Sequence, residues 1–269
     1  MALTWLLEAD VLHFQSEPLR AEIRRQGLQC HVVKLRPNGS PPKDILGAEA
    51  VPPDAPALFM GTIPGMRHVQ LHRRWRPGGW FDPEQLACRT YYAHLGPFLL
   101  NQRYTLLPGV EALRHADRLF DELGVDGKLF VRPDAGDKGF TGTVVDRKGF
   151  APALAPARYD PTTLVVVAAP RTITREWRLV VARGAVVAAS LYRDAGGAPR
   201  ARGCPAEVTA FAEKLLAQVA WRPDPMFMLD VCEAEGGLHV LELNGFSCSG
   251  LYECDLGEVV RAATECARA

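Results

Sequence analysis

An α+β fold, with a small α/β unit leading into a larger α+β unit, is predicted by three features of this 269-residue sequence. The first 35 residues read as strand, helix, strand. From Leu129 onward, β-type runs follow one another. Two apolar runs then close on the pair Gly236-Gly237 near the C-terminal end. With 48% hydrophobic and 23% charged residues, the chain has an ordinary globular composition and is long enough for a well-buried core.

The elements follow in order. Residues 3–7 are apolar and predict a strand. Ser16 caps a helix with Pro18 in its first turn, Gly27 ends it, and residues 30–35 return as a strand. Residues 38–56 are rich in Pro, Gly, Asp and Ala, which predicts loop. Residues 58–63 form a short strand, and 66–81 are basic and aromatic without clean periodicity. Residues 83–100 begin as helix and end near Gly96-Pro97. A second helix is predicted over 110–123, where Val110, Leu113, Ala116, Leu119, Phe120 and Leu123 have helical spacing and Gly124 sits at the stop position. Strands are predicted over 129–132, 142–146, 163–168, 176–181 and 185–192. A helix over 205–219, strands over 227–232 and 239–243, and a last helix from about Leu256 complete the chain. The division between units is placed at 1–85 and 86–269.

Several classes of function are disfavoured at once. Lys+Arg and Asp+Glu both number 31, so no net charge draws the chain to nucleic acid or an anionic membrane. No apolar run reaches 18 residues, and Glu8 and Asp10 stand where a secretory leader would be basic. A cytoplasmic location without a membrane partner is expected. Seven cysteines at irregular spacing fit reduced thiols, not a disulfide framework. The excess of Arg over Lys, with abundant Ala and Pro, suggests a GC-rich bacterial genome.

Residues 227–244, FMLDVCEAEGGLHVLELN, are the most informative segment. A three-residue loop of Glu235, Gly236 and Gly237 would make Ala234 face Leu238 and put Asp230 opposite Glu242. Asn244 would then share their face. The other face carries Phe227, Leu229, Val231, Leu241 and Leu243, a core-facing set. Like charges paired across strands repel, at a cost of a few tenths to about 1 kcal/mol. A hard divalent cation would offset that repulsion, since Mg2+ takes oxygen ligands from carboxylates and substrate phosphates. The bland alternative is a solvated sheet face with acidic decoration.

This arrangement, Asp then Glu-x-Asn on paired strands followed by the turn GFSCSG, resembles the C-terminal metal-binding signature of the ATP-grasp superfamily. The resemblance implies that Asp230, Glu242 and Asn244 hold two Mg2+ ions against the phosphates of ATP. Upstream, residues 129–142 read LFVRPDAGDKGFTG: an apolar strand delivers Arg132, and a loop with Gly136, Gly139 and Gly142 carries Lys138. Such loops present backbone N–H groups to anions, although an ordinary hairpin reads as well from the residues alone, and no Walker A loop is present. R-P-D-x-x-x-K-G-F-T-G is similar to an ATP-grasp clade named for two arginines and one lysine.

That likeness, over about residues 98–255, implies that the three are Arg132, Lys138 and Arg178. Arg132 and Lys138 would meet the phosphates, Arg178 and Arg193 would stabilise an acyl phosphate, and Glu176 would accept from the ribose hydroxyls. Backbone at Val167, Ala168 and Ala169 would meet the adenine edge. Glu176 and Arg178, two apart on a strand, share one face while Trp177 and Leu179 take the other. Asp137 beside Lys138 departs from the family pattern.

Two segments stay open on their own residues. Ser247, Ser249 and Tyr252 in GFSCSGLYEC could bind a substrate carboxylate or an oxyanion, or merely form a turn. Residues 66–80, with Arg67, His68, His72, Arg73, Arg74, Arg76, Trp75 and Trp80, could grip single-stranded nucleic acid, line an acceptor pocket, or be a solvated basic loop.

The resemblance implies an ATP-grasp fold, two α+β lobes clasping ATP, behind a small α/β domain. Its activity would be ADP-forming ligation of a small-molecule or peptide carboxylate to an amine through an acyl phosphate. The alternatives are a nucleotide-binding module without turnover, a nucleic-acid- or protein-modifying enzyme using residues 66–80, and an adenylate-forming ligase.

Overall fold

The computed structural model describes residues 3–11, 16–35, 45–136, 140–154 and 163–268. They divide into two compact units. The first holds Met1–Asp82, Arg175–Val231 and Glu242–Ala269; the second holds Pro83–Thr174 and Cys232–Leu241. The chain first leaves unit 1 at Asp82, beside the expected division, but returns to it twice.

Unit 1 opens with β1 (Thr4–Glu8), α1 (Ser16–Arg25), β2 (Gln29–Leu35), β3 (Ile45–Leu46), β4 (Pro56–Met60), α2 (Ile63–His72) and β5 (Arg76–Gly78). The sheet order is β3-β2-β1-β4-β5. β1 runs parallel to β2 and β4, and β3 is the antiparallel edge. α2 lies where no helical period is legible. Its start is fixed by local chemistry: Thr62 caps it by accepting from the Gly65 N–H, and a proline occupies the first turn. The buried Glu8 carboxylate accepts from both the Thr62 N–H (2.6 Å) and its hydroxyl (2.8 Å), tying the end of β1 to that cap. Gly61 is needed there, because a Cβ would lie 2.3 Å from Glu8 Oε2.

Unit 2 contains α3 (Cys88–Leu95), β6 (Tyr104–Pro108), α4 (Gly109–Arg114), α5 (Ala116–Leu123), β7 (Lys128–Pro133), β8 (Thr143–Asp146), α6 (Arg147–Leu154) and β9 (Leu164–Ala168). Its antiparallel sheet runs β6-β9-β7-β8. Leu119, Phe120 and Leu123 pack on Leu129, Val131, Val165 and Val167, with Phe150 and Leu154 closing the core. The single helix expected over 110–123 is two, broken at His115 (φ −102°, ψ 18°). The bend lets α4 lie against β6 and β9 while α5 lies against β7 and β9, which one straight helix could not do across a twisted sheet.

The remaining elements are β10 (Ile173–Ala182), β11 (Ala185–Asp194), β12 (Ala201–Arg202), α7 (Ala206–Gln218), β13 (Met226–Ala234), β14 (Gly237–Gly245) and α8 (Leu256–Ala267). Their sheet order is β12-β11-β10-β13-β14. Within unit 1, Val180, Met226, Met228, Phe246, Val259 and Val260 share one core with Trp5, Leu7, Leu19, Ile23 and Met60. Asp255 caps α8 by accepting from the Gly257 and Glu258 N–H groups. No helix among the described residues is long and apolar enough to cross a membrane.

The β13–β14 turn departs from expectation. It consists of Glu235 (φ 53°) and Gly236 (φ 77°), a two-residue turn with both φ positive, not the three-residue loop ending at Gly237.

Candidate active site

The site in unit 1 begins with a bulge. Glu176 on β10 pairs with Arg193 on β11, but Trp177 pairs with Leu191, so Tyr192 is an extra residue. A bulge re-aims the side chain it carries. Here Tyr192 and Arg193 both turn onto the buried Glu176: the Tyr192 hydroxyl donates to Oε2 at 2.6 Å, and Arg193 Nη1 donates to Oε1 at 2.7 Å. Burial, with the Asp230, Glu176 and Glu242 carboxylates nearby, pushes the Tyr192 phenol far above its ordinary value. Tyr192 is therefore a fixed donor. Both Glu176 oxygens are engaged by the protein itself.

Arg178, two residues along β10, is 7% exposed and forks onto the fully buried Asp230. Nε donates to Oδ1 at 2.8 Å, Nη2 to Oδ2 at 2.7 Å, and Nη1 to the Gly250 carbonyl at 3.0 Å. Burial alone would lower the guanidinium's affinity for its proton, but the charge and hydrogen bonds of Asp230 outweigh it and hold the pKa above its ordinary value. A buried charge left without such a partner would cost several kcal/mol.

Asn244 completes the set. Its side-chain N–H2 donates to Asp230 Oδ2 at 3.1 Å and to Glu242 Oε1 at 3.0 Å. The amide thus lies between two carboxylates, in the place a cation would share. The donors suit a hard cation: two carboxylates and an amide that presents oxygen when turned about its last torsion. No group of three His, Cys, Asp or Glu side chains among the described residues could hold a metal, so this mixed set would need substrate or water oxygens as well.

Asn244 thus brings Asp230 and Glu242 to one place, by a different route from the three-residue loop expected. A two-residue turn alone would put Leu241 opposite Asp230. The contacts of Asn244 therefore require the pairing to slip by one residue between turn and site.

The turn after β14 carries the aromatic wall. Tyr252 has φ 48°, an uncommon backbone for a bulky residue. Its ring stacks on Tyr192 with centroids 4.9 Å apart and planes 11° apart, and Arg178 lies 5.0 Å from its centroid. Ser247 and Ser249, expected at a substrate, are both buried, and each hydroxyl has a hydrogen-bond partner within the protein. The Ser247 hydroxyl accepts from the Trp80 N–H at 2.9 Å, and its carbonyl accepts from the Gly61 N–H at 2.9 Å. The Ser249 hydroxyl donates to the Gly245 carbonyl at 2.8 Å.

In unit 2, Arg132 stands half-buried on β7 opposite Val166 of β9. Burial raises the pKa of the neighbouring Tyr91 and Tyr92 phenols, and the positive charge of Arg132 works against that rise. Val167 pairs with both Thr105 and Val131, and Ala168 with both Tyr104 and Phe130. Both therefore lie inside the sheet with a partner strand on each side, while Ala169 lies just beyond the strand end. Lys138 lies outside the described residues.

Residues 66–80 lose the aromatic half of the nucleic-acid reading. Trp75 and Trp80 are 5% and 4% exposed, and Trp75 Nε1 donates to the Pro52 carbonyl at 2.8 Å. Neither ring is a stacking platform for a base. Sequence reasoning missed Tyr192 and Arg200, whose guanidinium lies 4.9 Å from the Tyr252 centroid. The only signal for Tyr192 was the dipeptide Tyr-Arg at a strand end, and a bulge leaves no mark in a two-residue period.

Three solved structures share the fold across nearly the whole chain. A RimK domain ATP-grasp protein from Sphaerobacter thermophilus is 18% identical, with 100% of each chain covered and a TM-score of 0.61. The D-cycloserine synthetase DcsG is 16% identical, with 98% and 99% covered and a TM-score of 0.62. The ATP-grasp ligase PsnB, complexed with minimal precursor, Mg and ADP, is 16% identical, with 97% and 96% covered and a TM-score of 0.54. No curated protein sequence matches. The family model for the ATP-grasp domain, R₂K clade family 3, matches residues 68–263, well over half of the sequence, and the chain belongs to that family.

Proposed function

We propose that this protein is an ATP- and Mg2+-dependent ligase that joins a carboxylate to an amine through an acyl phosphate. A carboxylate resists attack by an amine, so activation is the difficult step. The substrate carboxylate oxygen attacks the γ-phosphorus of ATP, the bond to the β-bridging oxygen breaks, and ADP leaves with the electron pair. The amine nitrogen then attacks the acyl carbon, the bond to the phosphate oxygen breaks, and the nitrogen loses a proton to give an amide and free phosphate.

The observation that carries this reading is the buried Arg178–Asp230 fork beside Asn244 and Glu242. Arg178 has five N–H donors and uses three on Asp230 and Gly250. Those remaining belong to a side chain already desolvated and fixed, so stabilising oxyanion charge requires little reorganisation. Mg2+, held by Asp230, Glu242 and the Asn244 oxygen, would neutralise charge on the phosphates, two ions being what the family resemblance implies. Arg132 and Lys138 are assigned to the phosphates and the Ala169 carbonyl to the adenine edge. Glu176 would hold a ribose hydroxyl only by sharing an oxygen with Tyr192 or Arg193, which positions Arg193 through Glu176. PsnB, of the same fold, was solved with Mg and ADP, which supports the choice of cofactors.

The test is product analysis by phosphorus NMR, with free amino acids and short peptides as carboxylates and hydroxylamine as the trapping nucleophile. ADP and phosphate are expected in the phosphorus spectrum, and a hydroxamate by its coloured ferric complex. AMP with pyrophosphate would identify an adenylate-forming enzyme. ATP bound but unchanged in every mixture would favour a nucleotide-binding module.

A further inference from the structure

We infer that Arg200, seated on the ring of Tyr252, is the residue that recognises a carboxylate of the acceptor. The inference rests on the ligase reading above. Arg200 is exposed, in the connection between β11 and β12, where Gly197 has φ 84° and its N–H donates to the Asp194 carbonyl at 3.1 Å. β12 pairs Arg202 with Ser190 and Ala201 with Leu191.

Tyr252 is held as firmly. Its strained backbone is pinned on both sides: Gly250 accepts from Arg178, and the Glu253 N–H donates to Ser190 Oγ at 3.2 Å. Strain of this kind persists only where the surroundings enforce it. Its effect is to keep the Tyr252 ring stacked on Tyr192 with two guanidinium groups against it.

Those two cations differ. Arg178 approaches both rings, at 5.0 and 5.7 Å, and is neutralised by Asp230. Arg200 touches only the Tyr252 ring, at 4.9 Å, and has no carboxylate partner among the described residues. The ring contact holds its plane but consumes none of its N–H donors, which leaves a positioned fork with an uncompensated charge. Phosphates would arrive with the cation of the Asp230, Glu242 and Asn244 set, to which Arg178 belongs. The fork of Arg200 suits a second, planar oxyanion.

The experiment follows the Arg200 Nε–H resonance of the whole protein, assigned by its loss in Arg200→Lys. The protein is first saturated with ADP and Mg2+, then titrated with N-acetylglycine at constant ionic strength. A saturable shift is expected on adding N-acetylglycine, and titration calorimetry on the same ADP- and Mg2+-saturated protein should give an affinity about tenfold weaker in Arg200→Ala. A shift with ADP and Mg2+ alone, unchanged by N-acetylglycine, would make Arg200 a phosphate ligand and overturn the inference. An Arg200 signal that moves with neither probe, in a protein that binds ADP and Mg2+, would overturn it while leaving the ligase reading intact. Failure of ADP and Mg2+ to bind at all would remove both.

Discussion

Arg178 and Asp230 behave as one unit, and single changes should show it. Asp230→Asn or Arg178→Gln each leaves a buried charge without its partner, which should lower stability by about 3–5 kcal/mol in urea unfolding. The double variant, with two neutral amides, should recover much of that loss. Equal, additive losses would contradict the coupling.

Asp224 offers a pH test away from this pair. Burial pushes its pKa from the ordinary 3.8 to about 7; the Asp82 N–H opposes the rise and the Asp82 carboxylate adds to it. A carboxyl raised on folding binds its proton more tightly in the folded state. The stability it contributes is full below the unfolded value and is lost as pH rises through the folded one. The advantage of Asp224→Asn over the wild type should thus grow by about 2 kcal/mol between pH 5 and pH 8. A pH-independent difference would show that the site is wetter than the structure implies.

At the residue scale, Glu242 and Asn244 were legible because spacing by two puts both on one strand face, whereas Asp230 meets Asn244 through a register that the expected three-residue loop did not give. Tyr192 was not, because a bulge breaks that period. The internal hydrogen bonds of the Ser247 and Ser249 hydroxyls were equally hidden, since their partners, Trp80 and Gly245, are set by packing and by turn shape.

Among the elements, those with a clean period were read and those made by caps and bends were not. β10 and β11 follow from the alternation in EWRL and the short apolar, Val-rich runs in LVV and AVVAA. α2 does not, because its identity lies in Thr62, a first-turn proline and burial of Met66, His68 and Val69 on a short basic helix. Thr62→Ala removes both the cap and a donor to buried Glu8. It should destabilise the protein by about 1–2 kcal/mol, or a few degrees in Tm. A change within the scatter of the melt would mean that water replaces the hydroxyl at no cost. The β13–β14 turn shows the opposite error: Gly236-Gly237 correctly signalled a hairpin, but only Gly236 lies in the turn. Glu235 takes the other left-handed position, which sequence alone gives no reason to expect of a glutamate.

For the molecule as a whole, the succession of strands from Leu129 onward and the last two helices were legible, while α2, β6, α6 and the partition were not. A linear split at residue 85 misses that unit 1 regains the chain at Arg175 and again at Glu242. Which strands share a core is decided by long-range packing, such as Trp5 with Phe246, and leaves no local trace. The carboxylate set and its arginine lie wholly in unit 1, so a metal-linked response of that unit to nucleotide is the central expectation. It is tested most directly by thermal melting with ATP, with and without Mg2+, on the wild type and on Glu242→Gln. A ligand at 100 times its Kd adds about 2.7 kcal/mol, a rise of several degrees for a chain of this size. The account predicts such a rise in the wild type, dependent on Mg2+ and lost in Glu242→Gln. No rise with ATP and Mg2+ in large excess, or a rise that Glu242→Gln retains in full, would contradict it.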